Sequence, residues 1–277
     1  GGDAGVNDFG LTISTTVVSS GVALPVKANT PYALTEVGLD GYTFVEMGAE
    51  AGDSAKCPAL LAGTVTADEG EDIVCTITND DDAPTITLIK KVINDNGGDA
   101  GVNDFGLTIS TTVVNSGVPF EVAANAPYTL TEVGLTGYTF VEMGTGVNDS
   151  AKCPDVLNGT VALDEGEDIV CTIVNDDDAP TITLIKKVVS NNGGTAGVND
   201  FGLTIGGTAA SSGVARQVMA NTPYALNEAG LTGYTFIAIG NEAGDSDKCP
   251  EVLAGTVTAD EGEDIVCTIV NDDDAPT

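Results

Sequence analysis

The sequence predicts an all-β protein: three tandem antiparallel β-sandwich domains in a linear array. Three observations predict it. The chain repeats itself every 96 residues: GGDAGVNDFGLTI at Gly1 returns at Gly97 and, as GGTAGVNDFGLTI, at Gly193. CTITNDDDAPT, ending at Thr85, returns as CTIVNDDDAPT ending at Thr181 and Thr277. Within each copy, short runs of alternating apolar and polar residues are separated by Gly, Asn and Asp clusters, and no stretch keeps a 3.6-residue period over three turns. The expected domains are 1–84, 85–180 and 181–277. At 277 residues the chain is 11 short of three full periods, and the shortfall is the equivalent of Ile86 to Asn96.

The second copy is complete and is read strand by strand. TITLIKKV (85–92) alternates, with Ile86, Leu88 and Lys90 on one face. NDNGGDAGVND (94–104) is loop. FGLTISTTVV (105–114) is a strand ended by Asn115-Ser116-Gly117, and PFEVAA (119–124) is the next. PYTLTEV (127–133) puts Tyr128, Leu130 and Glu132 on one face. GYTFVEM (137–143) follows a turn at Gly134–Gly137. TVAL (160–163) and DIVCTIVN (168–175) are expected to form a hairpin across Asp164–Glu167, with Ile169, Cys171, Ile173 and Asn175 on one face. Seven short strands with turns between them indicate a sandwich of the Ig-like kind. Ala83-Pro84 and Ala179-Pro180 read as short stiff linkers.

Composition narrows the function. The chain has no His and no Trp, which removes histidine metal sites and Ser-His-Asp triads. Acidic residues outnumber basic ones 42 to 9, for a net charge of −33, so no basic patch for nucleic acid can be assembled. No apolar run reaches the about 20 residues of a membrane helix. A hydrophobic content of 42% argues against a disordered acidic tail. No catalytic constellation can be placed, and an enzyme is not expected.

Six cysteines fall two per copy at a spacing of 18: Cys57 and Cys75, Cys153 and Cys171, Cys249 and Cys267. An even count at fixed spacing reads as one disulfide per domain in an oxidising compartment; free thiols in a reducing one are the alternative.

Three pieces of each copy together resemble the prealbumin-like, Cna protein B-type repeat of SpaA-type pilins and bacterial surface stalks. They are the opening ITLIKK, then Tyr128, Leu130 and Glu132 followed by Gly137-Tyr138, and the closing strand Cys171-Thr-Ile-Val-Asn175. The resemblance implies a Lys–Asn isopeptide bond assisted by the acid. Its residues would be Lys90, Glu132 and Asn175, and Lys186, Glu228 and Asn271. Glu36 and Asn79 are the counterparts in the first copy, whose lysine lies in the missing segment. The chemistry needs a neutral lysine and a protonated carboxyl, and apolar burial favours both. The pattern departs at Val92, where an Asp is usual, and at Thr136, where a Pro is usual. An ordinary ion pair between Lys90 and Glu132 is the alternative.

Two acidic clusters recur. Asp80, Asp81 and Asp82, and Asp176, Asp177 and Asp178, close the first two copies. A loop with Asp95, Asp99 and Asp104 comes after the next strand. Oxygen-rich side chains suit Ca2+ at the domain junctions, and no other cofactor is expected; a solvated acidic junction is the alternative. Asn148-Asp-Ser and Asn158-Gly-Thr fit the N-glycosylation sequon. The first copy lacks an opening strand, so its sheet would expose an edge unless one is supplied, by a longer tandem array or by strand exchange between subunits. The expected function is a structural segment of an extracellular or cell-surface filament. Its partners would be copies of itself or further tandem repeats, head to tail. A repetitive adhesin whose loops bind a surface ligand is the second reading.

Overall fold

The computed structural model describes residues 1–276; Thr277, the last residue of the third expected domain, lies outside the described residues. Contacts divide the chain into two compact units. One comprises Gly1–Leu88, Thr108–Thr131 and Gly146–Cys171; the other comprises Ile89–Leu107, Glu132–Thr145 and Thr172 onward.

The third repeat shows the complete plan. Two four-stranded sheets face each other. The first has the order Arg216–Gln217, Thr181–Val189, Asp264–Asp273, Tyr234–Ile239; the second has Thr208–Ala210, Gly202–Ile205, Pro223–Ala229, Thr256–Thr258. Alternation sends Ile182 and Leu184 inward from one sheet and Leu203, Ile205 and Leu226 from the other. With Ile265, Cys267 and Ile269 they form a closed core. Fully burying an aliphatic side chain contributes about 1.5–3 kcal/mol, so this layer supplies most of the repeat's stability.

Most pairings are antiparallel. The opening strand Thr181–Val189 and the closing strand Asp264–Asp273 instead run parallel, with Lys186 opposite Ile269 and Val188 opposite Asn271. A parallel pair needs a long crossover; here the whole intervening domain provides it. The near-continuous apolar run of the closing strand fits a strand covered on both faces.

Three strand expectations change. Residues 105–114 form two strands, Gly106–Ile109 and Thr112–Val114. Ser110 between them has φ +54°, in the left-handed region. In the third repeat this position is Gly206-Gly207, both with positive φ as a type I′ hairpin requires, whereas in the second only Ser110 is left-handed. Residues 119–124 pair only at Phe120–Glu121. The strands around residues 160–163 and 168–175 do not form a hairpin. Gly159–Ala162 pairs with Pro127–Val133, with Thr160 opposite Thr129, and Asp168–Asp177 joins the other sheet. The Asp164–Glu167 turn is therefore a crossing between sheets.

The first repeat has its outer sheet complete: Thr16–Val18, Gly10–Ile13, Pro31–Val37, Thr64–Thr66. Its other sheet holds only Tyr42–Met47 and Ile77–Asp81 among the described residues. The closing strand spans five residues there and ten in the third repeat, where Thr181–Ile185 pairs with the residues equivalent to 72–76; among the described residues of the first repeat no such strand lies beside them. Val74 is 61% exposed, and among the described residues of this repeat only Met47 and Ala67 are buried and apolar.

Each repeat carries one disulfide: Cys57–Cys75, Cys153–Cys171 and Cys249–Cys267, each across 18 positions. In the second and third repeats it ties the long loop before the crossing turn to the closing strand, and in the first it ends at Cys75, two residues before that strand. Replacing Cys249 and Cys267 together by alanine should cost about 3 kcal/mol by the loop-closure argument. Calorimetry should then show the third repeat melting roughly 10–20 °C lower.

Candidate functional site

The opening strand Thr85–Ile93 alternates Ile86, Leu88 and Lys90 toward the core. The lysine is thus delivered to an apolar interior by the same period that places the aliphatics. Pro127–Val133 brings Glu132 inward, and Asp168–Asp177 brings Asn175. Lys90, Glu132 and Asn175 are 3%, 9% and 1% exposed. Lys90 Nζ lies 2.9 Å from Glu132 Oε2 and donates to Asn175 Oδ1 at 2.5 Å. The third repeat repeats the arrangement: Lys186 Nζ lies 2.9 Å from Glu228 Oε2 and 2.5 Å from Asn271 Oδ1. Nitrogen and oxygen joined through one amide carbon sit about 2.25 Å apart, so the lysine is close to the position a covalent amide would impose.

Burial pushes the amino groups of Lys90 and Lys186 below the ordinary lysine value, and the hydrogen bonds they donate to Glu132 and Glu228 only partly restore it. Glu132 Oε1 and Glu228 Oε1 are buried and accept no hydrogen bond among the described residues. Desolvation works against the charged form of the two lysines, which favours the neutral amine that attack on an amide needs.

An aromatic floor completes each site. Lys90 Nζ stands 4.2 Å from the ring centre of Phe105, and Lys186 Nζ 4.3 Å from that of Phe201. Tyr138 and Tyr234 meet these rings edge-on. The Tyr138 hydroxyl accepts from Ala100 N at 2.9 Å and donates to Asn94 Oδ1 at 3.0 Å. Sequence reasoning did not single out these phenylalanines. The signal was present: Phe-Gly-Leu-Thr-Ile occurs at Phe9, Phe105 and Phe201.

In the first repeat Glu36 and Asn79 also meet. Asn79 Nδ2 donates to Glu36 Oε2 at 3.0 Å. Both are half-buried, under the edge where the other repeats place their lysine strand.

The acidic residues separate by role. Asp177 is 2% exposed and accepts from Asn96 N and Gly98 N, at 3.0 and 2.7 Å. Asp273 does the same for Asn191, Asn192 and Gly194. Burial pushes its carboxyl up, but these N–H donors outweigh it and hold it below the usual range. Asp81 accepts from Gly1 and Gly2. The middle aspartate of each triplet therefore closes a glycine loop. Asp82 and Asp178 accept from Thr43 and Thr139 hydroxyls at 2.8 and 2.7 Å. Asp104 accepts from Gly101 N. Asp80 and Asp99 are exposed. Asp95, Asp176 and Asp177 each bring a carboxylate oxygen within 4.8 Å of the others. Burial first, then Asp95 and Asp177, raises the Asp176 carboxyl above its ordinary value. The side chains of Asn148 and Asn158 are exposed, the latter on a left-handed turn at φ +65°.

Lys186→Met would leave Glu228 buried without its partner and should destabilise the repeat by about 3–5 kcal/mol. Adding Glu228→Leu should return part of that loss. Chemical denaturation of the single and double variants compares them directly.

The chain matches the SpaA-type family described as prealbumin-like fold domain twice, over residues 81–173 and 177–269. The two matches are offset by the internal period. A MucBP domain matches residues 6–75. No curated protein matches the chain. Among solved structures it is similar to the Bacillus anthracis TIE protein at 15% identity, covering 95% of this chain and 47% of that one, with a TM-score of 0.48. The chain thus spans under half the length of that protein. The major pilin of Streptococcus pyogenes aligns at 17% identity over 70% of this chain and 99% of its own, with a TM-score of 0.28. The pilus adhesin SpaC of Lactobacillus rhamnosus GG, in its open conformation, aligns at 15% identity over 87% and 42%, with a TM-score of 0.30. Three disulfides together with the family matches mark an extracellular or cell-surface protein. With two copies of the matched domain covering more than half of its length, the chain belongs to the prealbumin-like fold domain family.

Proposed function

We propose that the chain is a load-bearing segment of an extracellular filament or stalk, in which Lys90–Asn175 and Lys186–Asn271 isopeptide bonds lock the repeats. The observation that carries this reading is the buried lysine amino group 2.5 Å from the asparagine carbonyl oxygen, beside a buried acid. The neutral lysine nitrogen attacks Asn Cγ, the bond from Cγ to Nδ2 breaks, and ammonia leaves. The glutamic acid lends a proton to the amide oxygen and takes one back from the attacking nitrogen; as the carbonyl re-forms, the proton on that oxygen passes to Nδ2, which leaves as ammonia.

The mechanical consequence comes from topology. Lysine sits on the strand that enters the repeat and asparagine on the strand that leaves it. A bond between them carries tension directly from one to the other, so the chain between Lys90 and Asn175, which are 85 positions apart, stays out of the load path. The disulfide anchors a loop to the closing strand and adds resistance after the first bond.

The first repeat fits a filament read as links. Its open edge presents Glu36 and Asn79 to an incoming strand with the pattern of TITLIKKV, supplied by a preceding repeat or another subunit. The Asp95, Asp176 and Asp177 group is the place where Ca2+ would stiffen the second repeat.

Intact-protein mass tests the cross-link. Two isopeptide bonds remove two molecules of ammonia, and Glu132→Ala should restore one; a mass explained by disulfides alone would sink the proposal. A synthetic peptide of sequence TITLIKKVV should raise the melting temperature of the first repeat and couple to Asn79 with loss of one ammonia. No shift and no adduct would remove the strand-sharing reading. If Ca2+ and a chelator give identical melting curves, the cation reading fails.

A further inference from the structure

The second and third repeats part company at one place where their backbones agree. Phe120 pairs with Ile86 and Glu121 with Thr85 in the second; Arg216 pairs with Ile182 and Gln217 with Thr181 in the third. Arg216 is the only arginine of the chain. It is half-buried and reaches from its own sheet to the facing one. There its Nη1 donates to Ile205 O at 3.1 Å and to Thr208 O at 3.4 Å. A guanidinium thus bridges the two sheets of the third repeat.

In the second repeat the equivalent residues, Ile109 and Thr112, line a cavity of about 590 Å³ instead. Phe120 stands where the arginine does, and its side chain has no donor to offer a carbonyl. Glu121 and Tyr128 also line the cavity. The Tyr128 hydroxyl accepts from Ala123 N at 2.8 Å, which fixes its ring in the wall. The volume lies within the range of small-ligand sites. The charges are exchanged as well. The third repeat holds a cation beside the neutral Gln217; the second holds the carboxylate of Glu121 beside the neutral Phe120. The first repeat has neither, with Leu24 and Pro25 at these positions of the period.

We propose that the cavity of the second repeat binds the guanidinium of an arginine from outside the chain, in the place that Arg216 fills for itself in the third. The lining fits that group. A guanidinium is planar, carries five donors, and can pair two of them with one carboxylate. It stacks on aromatic faces and is weakly hydrated for a cation. Glu121 supplies the carboxylate, Phe120 and Tyr128 the rings, and Ile109 and Thr112 the carbonyls. An anion would meet Glu121 and a net charge of −33. That overall field draws cations in without choosing among them, so the choice falls to the cavity. The site stands apart from the cross-link and the filament reading, and neither needs the other.

Isothermal titration and amide NMR of the intact chain in about 0.15 M salt test it, with Nα-acetyl-argininamide as the probe. Binding at one site per chain is expected, with amide shifts concentrated in residues 109–112 and 120–123. The citrulline analogue keeps the shape and loses the charge, and should not bind. The lysine analogue keeps the charge and loses the planar fork, and should bind more weakly. Propylguanidine presents the group alone. Binding equal to the probe marks a free guanidine as the ligand, weaker binding marks an arginine within a peptide, and either upholds the site. Glu121→Gln should weaken the probe about tenfold. Phe120→Arg should fill the cavity from within and abolish binding. The reverse pair, Arg216→Phe with Gln217→Glu, should add a second site in the third repeat. Calorimetry checks that each variant melts as the parent does. No binding of the probe, equal binding of the lysine analogue, shifts spread over the acidic surface, or unchanged affinity in Phe120→Arg would each overturn the proposal.

Discussion

A lysine amino group taken out of water sets the terms for the whole repeat. Isolated in an apolar core it would be untenable, so the fold must bring an acid, an acceptor and an aromatic face to it. The entering strand meets those demands only by lying beside the leaving strand, with Glu132 or Glu228 arriving from the opposite sheet. Parallel pairing of the first and last strands is thus the geometric condition for the site. It also makes the two ends of each repeat neighbours.

The first repeat, in which no such strand lies among the described residues, shows what the strand contributes. Its closing strand shortens to Ile77–Asp81, Val74 faces solvent, and Glu36 turns to Asn79 for its hydrogen bond. The outer sheet persists because its pairings are local and antiparallel. Among its described residues the inner sheet holds two strands, whereas the third repeat has the non-local strand at the centre of four.

The acidic character of the chain resolves into ordinary structural chemistry at several positions. Asp177 and Asp273 are buried because a glycine loop offers them two or three N–H donors, which is how a carboxylate tolerates burial. Their neighbours Asp178 and Asp274 accept from threonine hydroxyls on the adjoining strand. Among the described residues only Asp95, Asp176 and Asp177 converge, which the linear pattern of Asp and Asn could not distinguish from the rest.

Much of this was legible in one dimension. Alternation is local, so the inward faces of Lys90, Glu132 and Asn175 came from the period of two, as the cysteine pairs came from the repeat length. What alternation cannot carry is partnership. It does not say which strand lies beside which, so the Asp164–Glu167 segment looked like a hairpin turn when it crosses between sheets. It does not show parallel direction, since a strand reads the same either way. It gave no weight to Phe105 beyond apolar character, although the ring lies under the lysine. The sequence determined which side chains face inward, because that depends on neighbours along the chain. The tertiary structure decided which of them touch, because bringing residues 85 positions apart within bonding distance depends on how whole sheets close over one core.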